Sequence, residues 1–293
     1  MAFLGSFLTS VVVVVAVLLG VVGPAAAAVK VTVTPSVVRQ GDVAVIVVTG
    51  ATGAPDMAGS VGGRPLFFFP YADGYAALIG IDLEARPGKA PWRVGFVDRG
   101  GIVRKSAGMI TVKARNFPVQ RLTLPKSMVD LSPENERRAE AEAARLHALF
   151  DTISSERVWR GPFTKPVASE AKAEGFGSRR IINGKPRSPH SGLDFAVPAG
   201  TPVVAANRGR VALVVDFFFG GKVVALDHGE GLYTLYMHLD RTDVAEGALV
   251  ERGSIIGAVG STGRATGPHL HWGAQLRRAR IDADALLKLP VRD

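Results

Sequence analysis

The chain has 293 residues, of which 47% are hydrophobic and 7% aromatic, enough apolar material for two packed units and too much for an intrinsically disordered chain. Lysine and arginine number 35 against 26 acidic residues, and the formal charge of +9 favours an anionic partner such as nucleic acid, acidic lipid headgroups or wall polymers. Cysteine is absent, which excludes disulfides and requires any metal site to be built from histidine and carboxylate.

Residues 1–28 hold no charged side chain, and the apolar run 11–22 has a length that suits the core of an export signal better than a membrane span. Ala26, Ala27 and Ala28 offer small residues for cleavage. Because no Lys or Arg precedes the core, an uncleaved N-terminal membrane anchor is the alternative reading of 1–28. Either way the body of the protein is expected to be exported, to the periplasm or cell envelope, which argues against nucleic acid as the partner.

From Val29 the pattern changes to alternation, with Val29, Val31 and Val33 separated by Lys30 and Thr32. Further β-type runs at 43–49, 65–69, 75–83, 92–97 and 109–112, divided by Gly, Pro and Asp, predict a β-sandwich over 29–115. Phe67, Phe68 and Phe69 are expected to be core, and no chemistry is assigned to this unit. Residues 116–158 read as a connector carrying a helix over 132–150, with Ser132 as N-cap, Pro133 in the first turn and Glu134 at the positive end. Leu146, Leu149 and Phe150 should dock that helix, and His147, without a partner at ligand spacing, is expected to be structural.

Beyond Trp159 short alternating runs at 202–206, 209–216, 222–227 and 232–239 predict an antiparallel β unit over 159–293, in which the loop 257–268 feeds a final strand. The fold class is therefore mainly β. No period repeats along the chain, which excludes a solenoid.

Four of the six histidines fall in three short motifs, His190-Ser191-Gly192-Leu193-Asp194, Tyr236-Met237-His238-Leu239 and His269-Leu270-His271. In a strand, residues two or four apart share a face, so His190 with Asp194, and His269 with His271, can converge on one point. Two imidazoles and a carboxylate are a usual ligand set for catalytic zinc, which acidifies water and polarises a carbonyl. Two histidines are then left over for proton transfer.

The three motifs, in this order, resemble the M23 family of zinc endopeptidases, also called LytM-like or lysostaphin-type. The first is followed by Phe195-Ala196-Val197-Pro198-Ala199-Gly200-Thr201-Pro202-Val203. The second is preceded by His228-Gly229-Glu230-Gly231, and the third lies within Thr262-Gly263-Arg264-Ala265-Thr266-Gly267-Pro268-His269-Leu270-His271-Trp272. The resemblance runs from about Phe176 to Leu276, and the upstream β unit is similar to that of some Gram-negative members. It implies one zinc ion per chain held by His190, Asp194 and His271, with His238 and His269 catalytic, one accepting a proton and the other steadying an oxyanion. Ser261, Ala265 and Gly273 depart from the family's commoner Asn, Ser and Glu, and none of these departures removes a ligand.

What the resemblance implies is a zinc metalloendopeptidase that hydrolyses peptidoglycan stem peptides or cross-links with a metal-activated water. The alternative is a non-catalytic LytM-like activator of other wall hydrolases, a class that usually lacks part of the metal set. His228 is expected to be a turn residue before a strand. Arg179, Arg180, Lys185 and Arg187, just ahead of the first ligand, are either a rim that attracts wall-peptide carboxylates or a solvated basic loop.

Overall fold

The computed structural model describes residues 29–53, 57–123, 125–167 and 173–290, so the apolar leader at 1–28 lies outside the described residues. The first unit contains β1 (Lys30–Thr34), β2 (Val37–Arg39), β3 (Val43–Thr49), β4 (Ala58–Val61), β5 (Arg64–Pro65), β6 (Phe69–Tyr71), β7 (Gly74–Gly80), β8 (Gly88–Val97) and β9 (Val103–Lys113). They form two facing sheets, ordered β1-β3-β7-β6 and β2-β9-β8-β4-β5. Ala44, Ile46, Val48, Trp92, Val94 and Ile110 are among the residues filling the space between them.

The alternate residues of β3, Val43 and Val45, belong to a second core shared with the C-terminal half. Burial on both faces explains why β3 reads as an unbroken apolar run rather than an alternation. The expected strand at 65–69 is instead split between β5 and β6. Pro65 and Pro70 have no amide to donate to a ladder, and both fall on short edge strands, β5 and β6 at the ends of their sheets.

The connector is more structured than composition suggested. It contains β10 (Val119–Leu122), a short helix α1 (Lys126–Val129) and α2 (Pro133–Asp151). β10 pairs in parallel with β11 (Arg179–Ile182), which turns back into β12 (Lys185–Pro186). At the start of α2 the Asn135 amide donates to Ser132 Oγ over 3.3 Å, and Glu134 and Glu136 lie in its first turn. Phe150 meets Tyr233 edge-on at 5.7 Å, with Leu146 and Leu149 beside it, so the helix docks by the stripe expected of it. His147 is exposed on the helix surface.

The C-terminal half is built from β13 (Gly192–Phe195), β14 (Pro202–Val204), β15 (Gly209–Phe217), β16 (Gly221–Asp227), β17 (Leu232–Thr242), β18 (Leu249–Val250), β19 (Ile255–Val259), β20 (Leu270–Leu276), β21 (Ala279–Ile281) and α3 (Ala283–Leu286). These strands make one nine-stranded antiparallel sheet whose main path is β13-β20-β17-β16-β15-β18. The fold is thus mainly β and antiparallel. The strand after the glycine-rich loop is not the last element: Arg277 and Arg278, both with positive φ, turn β20 tightly into β21.

Val45, Phe69, Leu78 and Leu83 of the first unit pack in one core with Trp159, Leu276 and Ile281. A chain shortened to begin near Val158 would lose those partners. The contact is fixed by a fork between Arg280 and Asp82, with Nη2 to Oδ1 at 2.7 Å and Nε to Oδ2 at 3.1 Å. Burial pushes the Asp82 carboxyl up, but hydrogen bonds from Arg280 and from the amides of Glu84 and Arg280 outweigh it and leave its pKa below the ordinary value. Asp82→Asn should cost about 1–3 kcal/mol at neutral pH, read as a lower urea midpoint. A lowered folded-state pKa means the contribution is complete above the unfolded-state value of about 3.9 and is lost as the pH falls through the folded value. The midpoints of the two proteins should therefore draw together below about pH 4.

Candidate metal centre

β13 and β20 lie side by side with Asp194 opposite His271, a directly facing cross-strand pair. Period-two alternation sends Leu193, Phe195, Leu270 and Trp272 into the shared core and leaves Asp194, His269 and His271 on the opposite face, as the spacing required. His190 lies just outside β13. Its backbone exchanges hydrogen bonds with Ser178 and Gly177, which fixes the approach of its ring.

Three side-chain atoms meet here. His271 Nδ1 lies 2.9 Å from Asp194 Oδ1, His190 Nε2 lies 3.1 Å from the same oxygen, and the two nitrogens are 2.8 Å apart. Protons alone cannot satisfy this triangle. If both imidazoles donate to the carboxylate, two N–H groups face each other across the third edge; if one does not, a contact is left without a hydrogen. A single cation inside the triangle satisfies all three donors. Tetrahedral zinc bonds of 2.0–2.1 Å imply ligand atoms about 3.3 Å apart, close to the observed edges. His190, Asp194 and His271 can therefore hold a divalent metal.

Two glycines make room for the rings. A Cβ on Gly192 would lie 2.5 Å from His271 Nε2, and one on Gly175, whose φ is +99°, would lie 2.5 Å from His190 Nδ1. No side chain fits at either position without moving a member of the triangle.

His238 reaches the same face by a different device. Met237 pairs with His271, so alternation would turn His238 away, into the core occupied by Tyr236 and Leu239. The register between β16 and β17 shifts here: Val224 faces Tyr236 and Lys222 faces Leu239, leaving Met237 and His238 together opposite Val223. His238 takes φ +61° at this bulge, and both residues line the cleft.

The outer nitrogens of the two remaining imidazoles are tied to carbonyls. His238 Nδ1 donates to Thr262 O at 2.9 Å, and His269 Nδ1 donates to Gly267 O at 2.8 Å. A carbonyl only accepts, so the proton of the neutral ring is held at Nδ1 and Nε2 keeps its lone pair. The two rings lie 4.7 Å apart, and His269 Nε2 is 3.9 Å from Asp194 Oδ1. Thr262 is a participant that sequence reading quoted but assigned no role; its hydroxyl also accepts from Lys222 N and donates to Leu239 O, fixing the carbonyl that holds His238.

All five sequence-predicted residues thus come together, and His228 does not join them. It is fully buried away from the cleft, bonded to Arg208 O and Thr234 Oγ1 at 2.8 Å each. The basic run divides: Arg180 and Arg187 line the cleft, whereas Arg179 is exposed and Lys185 pairs with Asp130. Gln120 and Leu122 of β10 supply a wall that sequence reading missed. The signal was slight, since a four-residue edge strand inside a polar connector has little apolar pattern to display.

The family model for peptidase family M23 matches residues 188–283, which contain all five clustered residues. A crystal structure from Pseudomonas aeruginosa named for peptidase M23 aligns over 85% of this chain and 94% of its own, at 32% identity and a TM-score of 0.61. The chain belongs to peptidase family M23. Among characterised relatives it is 42% identical over 95 residues to the peptidoglycan DD-endopeptidase ShyB of Vibrio cholerae, covering 32% of this chain and 22% of that protein. It is 46% identical over 87 residues to the DD-carboxypeptidase/endopeptidase Mpg of Neisseria meningitidis, covering 30% of this chain and 20% of that protein. The alignments thus span about a fifth of the length of these curated relatives.

Burial, followed by the neighbouring His271, holds the His238 pKa down at about 4, and burial alone holds His228 at about 4. Both are bases with a depressed folded-state value, so the unfolded chain takes the proton first, and stability should fall as the pH drops from about 6.5 toward 4. In metal-free protein, long-range proton–nitrogen NMR should show both rings neutral with the hydrogen of His238 on Nδ1. A His238 midpoint near 6.5 would contradict the burial and hydrogen bonding described.

Proposed function

We propose that the protein is an exported zinc metalloendopeptidase that hydrolyses peptide bonds in peptidoglycan stem peptides or cross-links. The observation that carries the reading is the triangle of His190 Nε2, Asp194 Oδ1 and His271 Nδ1, flanked by two further imidazoles whose Nε2 lone pairs are kept available. Zinc in such a set supplies Lewis acidity, acidifying water toward neutrality and polarising the carbonyl under attack.

The chain's own groups do the rest. His190, Asp194 and His271 would hold the metal from rigid strands and a pinned loop. Burial raises the Asp194 carboxyl, but hydrogen bonds from His190 and His271 outweigh it and hold the group well below the usual carboxylate range, as an anionic ligand must be. Of His238 and His269, one takes the proton of the attacking water at Nε2. The other, when protonated there, donates to the oxygen on which charge develops. Thr262 and Gly267 fix both rings against rotation.

The names of the curated relatives support peptidoglycan as the substrate. Export to the periplasm or cell envelope, with 1–28 as signal or anchor, is part of the same proposal. The reading of a non-catalytic activator gains nothing from the site, because the ligand set and both extra imidazoles are complete.

His190→Ala or Asp194→Ala should lose bound zinc and activity together. His238→Ala or His269→Ala should keep zinc and lose about 10²–10⁴ in rate. Metal analysis of the four proteins beside digestion of purified sacculi, with and without a chelator and with fragments identified by mass spectrometry, separates these outcomes. Zinc loss in the latter pair would overturn the role assignment, and release of the same fragments in chelator would overturn the metal reading.

A further inference from the structure

Among the described residues the cleft is lined by a single carboxylate, Asp194, and by three guanidiniums, Arg180, Arg187 and Arg264. They come from three separate segments: β11, the chain after β12, and the glycine-rich loop before β20. Arg180 Nη2 lies 3.8 Å from Asp194 Oδ2, and its Nε donates to Gln120 Oε1 at 3.4 Å. Arg187 Nη2 donates to Val129 O at 3.5 Å, and Arg264 stacks over Phe219 at 4.0 Å.

Gathering like charges is unfavourable, and the molecule registers it: burial first, then Arg180 and Arg187, pull the Arg264 pKa below its ordinary value. Asp194 is already engaged by His190 and His271, and a bound divalent cation would add to the positive field. Three planar donors held by a wall strand, a carbonyl and an aromatic ring are preorganised for a planar anion.

We propose that Arg180, Arg187 and Arg264 form a carboxylate-binding subsite that selects substrates carrying a free carboxyl on the carbon next to the scissile nitrogen. The inference rests on the hydrolase reading and narrows it. Arg180 Nη2 lies 3.8 Å from Oδ2 of Asp194, a member of the metal triangle, so a carboxylate held by these guanidiniums sits beside the reacting centre. A cross-link in which D-alanine acylates the second amine of a diamino-dicarboxylic acid has a carboxylate at that position, and so does a terminal residue removed by a carboxypeptidase. An internal amide of a glycine bridge has none.

The test uses a cross-linked peptide in which D-alanine acylates a diamino-dicarboxylic acid, and the same compound with the adjacent carboxyl amidated. Zinc-loaded full-length protein should cleave the carboxylate form with a kcat/KM about 10- to 100-fold higher. In R187Q/R264Q, which leaves the ligand neighbour Arg180 in place, that ratio should collapse toward one, chiefly through KM, with zinc retained. Equal rates on the two peptides in the unaltered protein, or equal proportional losses on both in the variant, would overturn the subsite. If neither peptide is cut, the hydrolase reading fails and fluorescence titration of the same two compounds decides the subsite alone. At least about tenfold tighter binding of the carboxylate form, lost in the variant, sustains it, and equal affinities reject it.

Discussion

The cross-strand pairing of Asp194 with His271 is the contact on which the rest of the site is built. Facing residues of antiparallel strands have Cβ atoms about 4.5–5.5 Å apart, so the register itself brings a carboxylate and an imidazole to a shared point. A slip of β13 by one residue would exchange its site and core faces, placing Leu193 in the cleft and Asp194 in the apolar interior. The register is held by the burial of Leu193, Phe195, Leu270 and Trp272. The apolar half of each strand thus determines where the polar half can act.

What the ladder cannot supply by alternation, irregularity supplies. His238 enters the cleft only because two residues of β17 oppose one of β16 and its backbone adopts a positive φ, a conformation that costs of order 1–3 kcal/mol for a residue with a side chain. The bonds that hold it, Gly220 O to the His238 amide at 2.8 Å and Thr262 O to the ring at 2.9 Å, come from the turn before β16 and from the glycine-rich loop. The strained position and its two anchors are therefore one unit. The Thr-Gly sequence at 262–263 serves it, because a Cβ on Gly263 would collide with the backbone of Phe219 and Gly221.

The legible part of this protein was the part with short-range pattern. Spacings of two and four in the histidine motifs pointed to one centre, and the Ser-Pro-Glu start with its apolar stripe marked α2 within a residue of its observed limits. Long apolar runs marked β3 and β16, and alternation over 92–97 marked the second half of β8. The obscured features were set by distant partners. Nothing local in Val119–Leu122 announces a strand, because its pairing with Arg179–Ile182 is made across more than fifty intervening residues. The bulge at His238 is invisible to a period-two reading, which would have turned that ring to the opposite face of the sheet, away from the cleft. Arg264 lay in a glycine-rich motif whose family likeness drew attention to the histidines rather than to the cation among them.

The segment that composition reads as a linker is where the two halves become one frame. β10 extends the wall beside Arg180, α2 covers the far end of the same sheet face through Phe150 and Tyr233, and the sandwich contributes Val45 and Phe69 to the core beneath. Each of these contacts leaves the cleft itself uncovered while fixing one of its boundaries. Metal ligands and proton-handling groups need positions held to within about half an ångström, and loops alone do not hold them so. Here His190 and His269 lie within two residues of the starts of β13 and β20, strands whose other faces are buried. The packing of the upstream unit therefore reaches the chemistry through the rigidity of the sheet, without a residue of that unit having to enter the site.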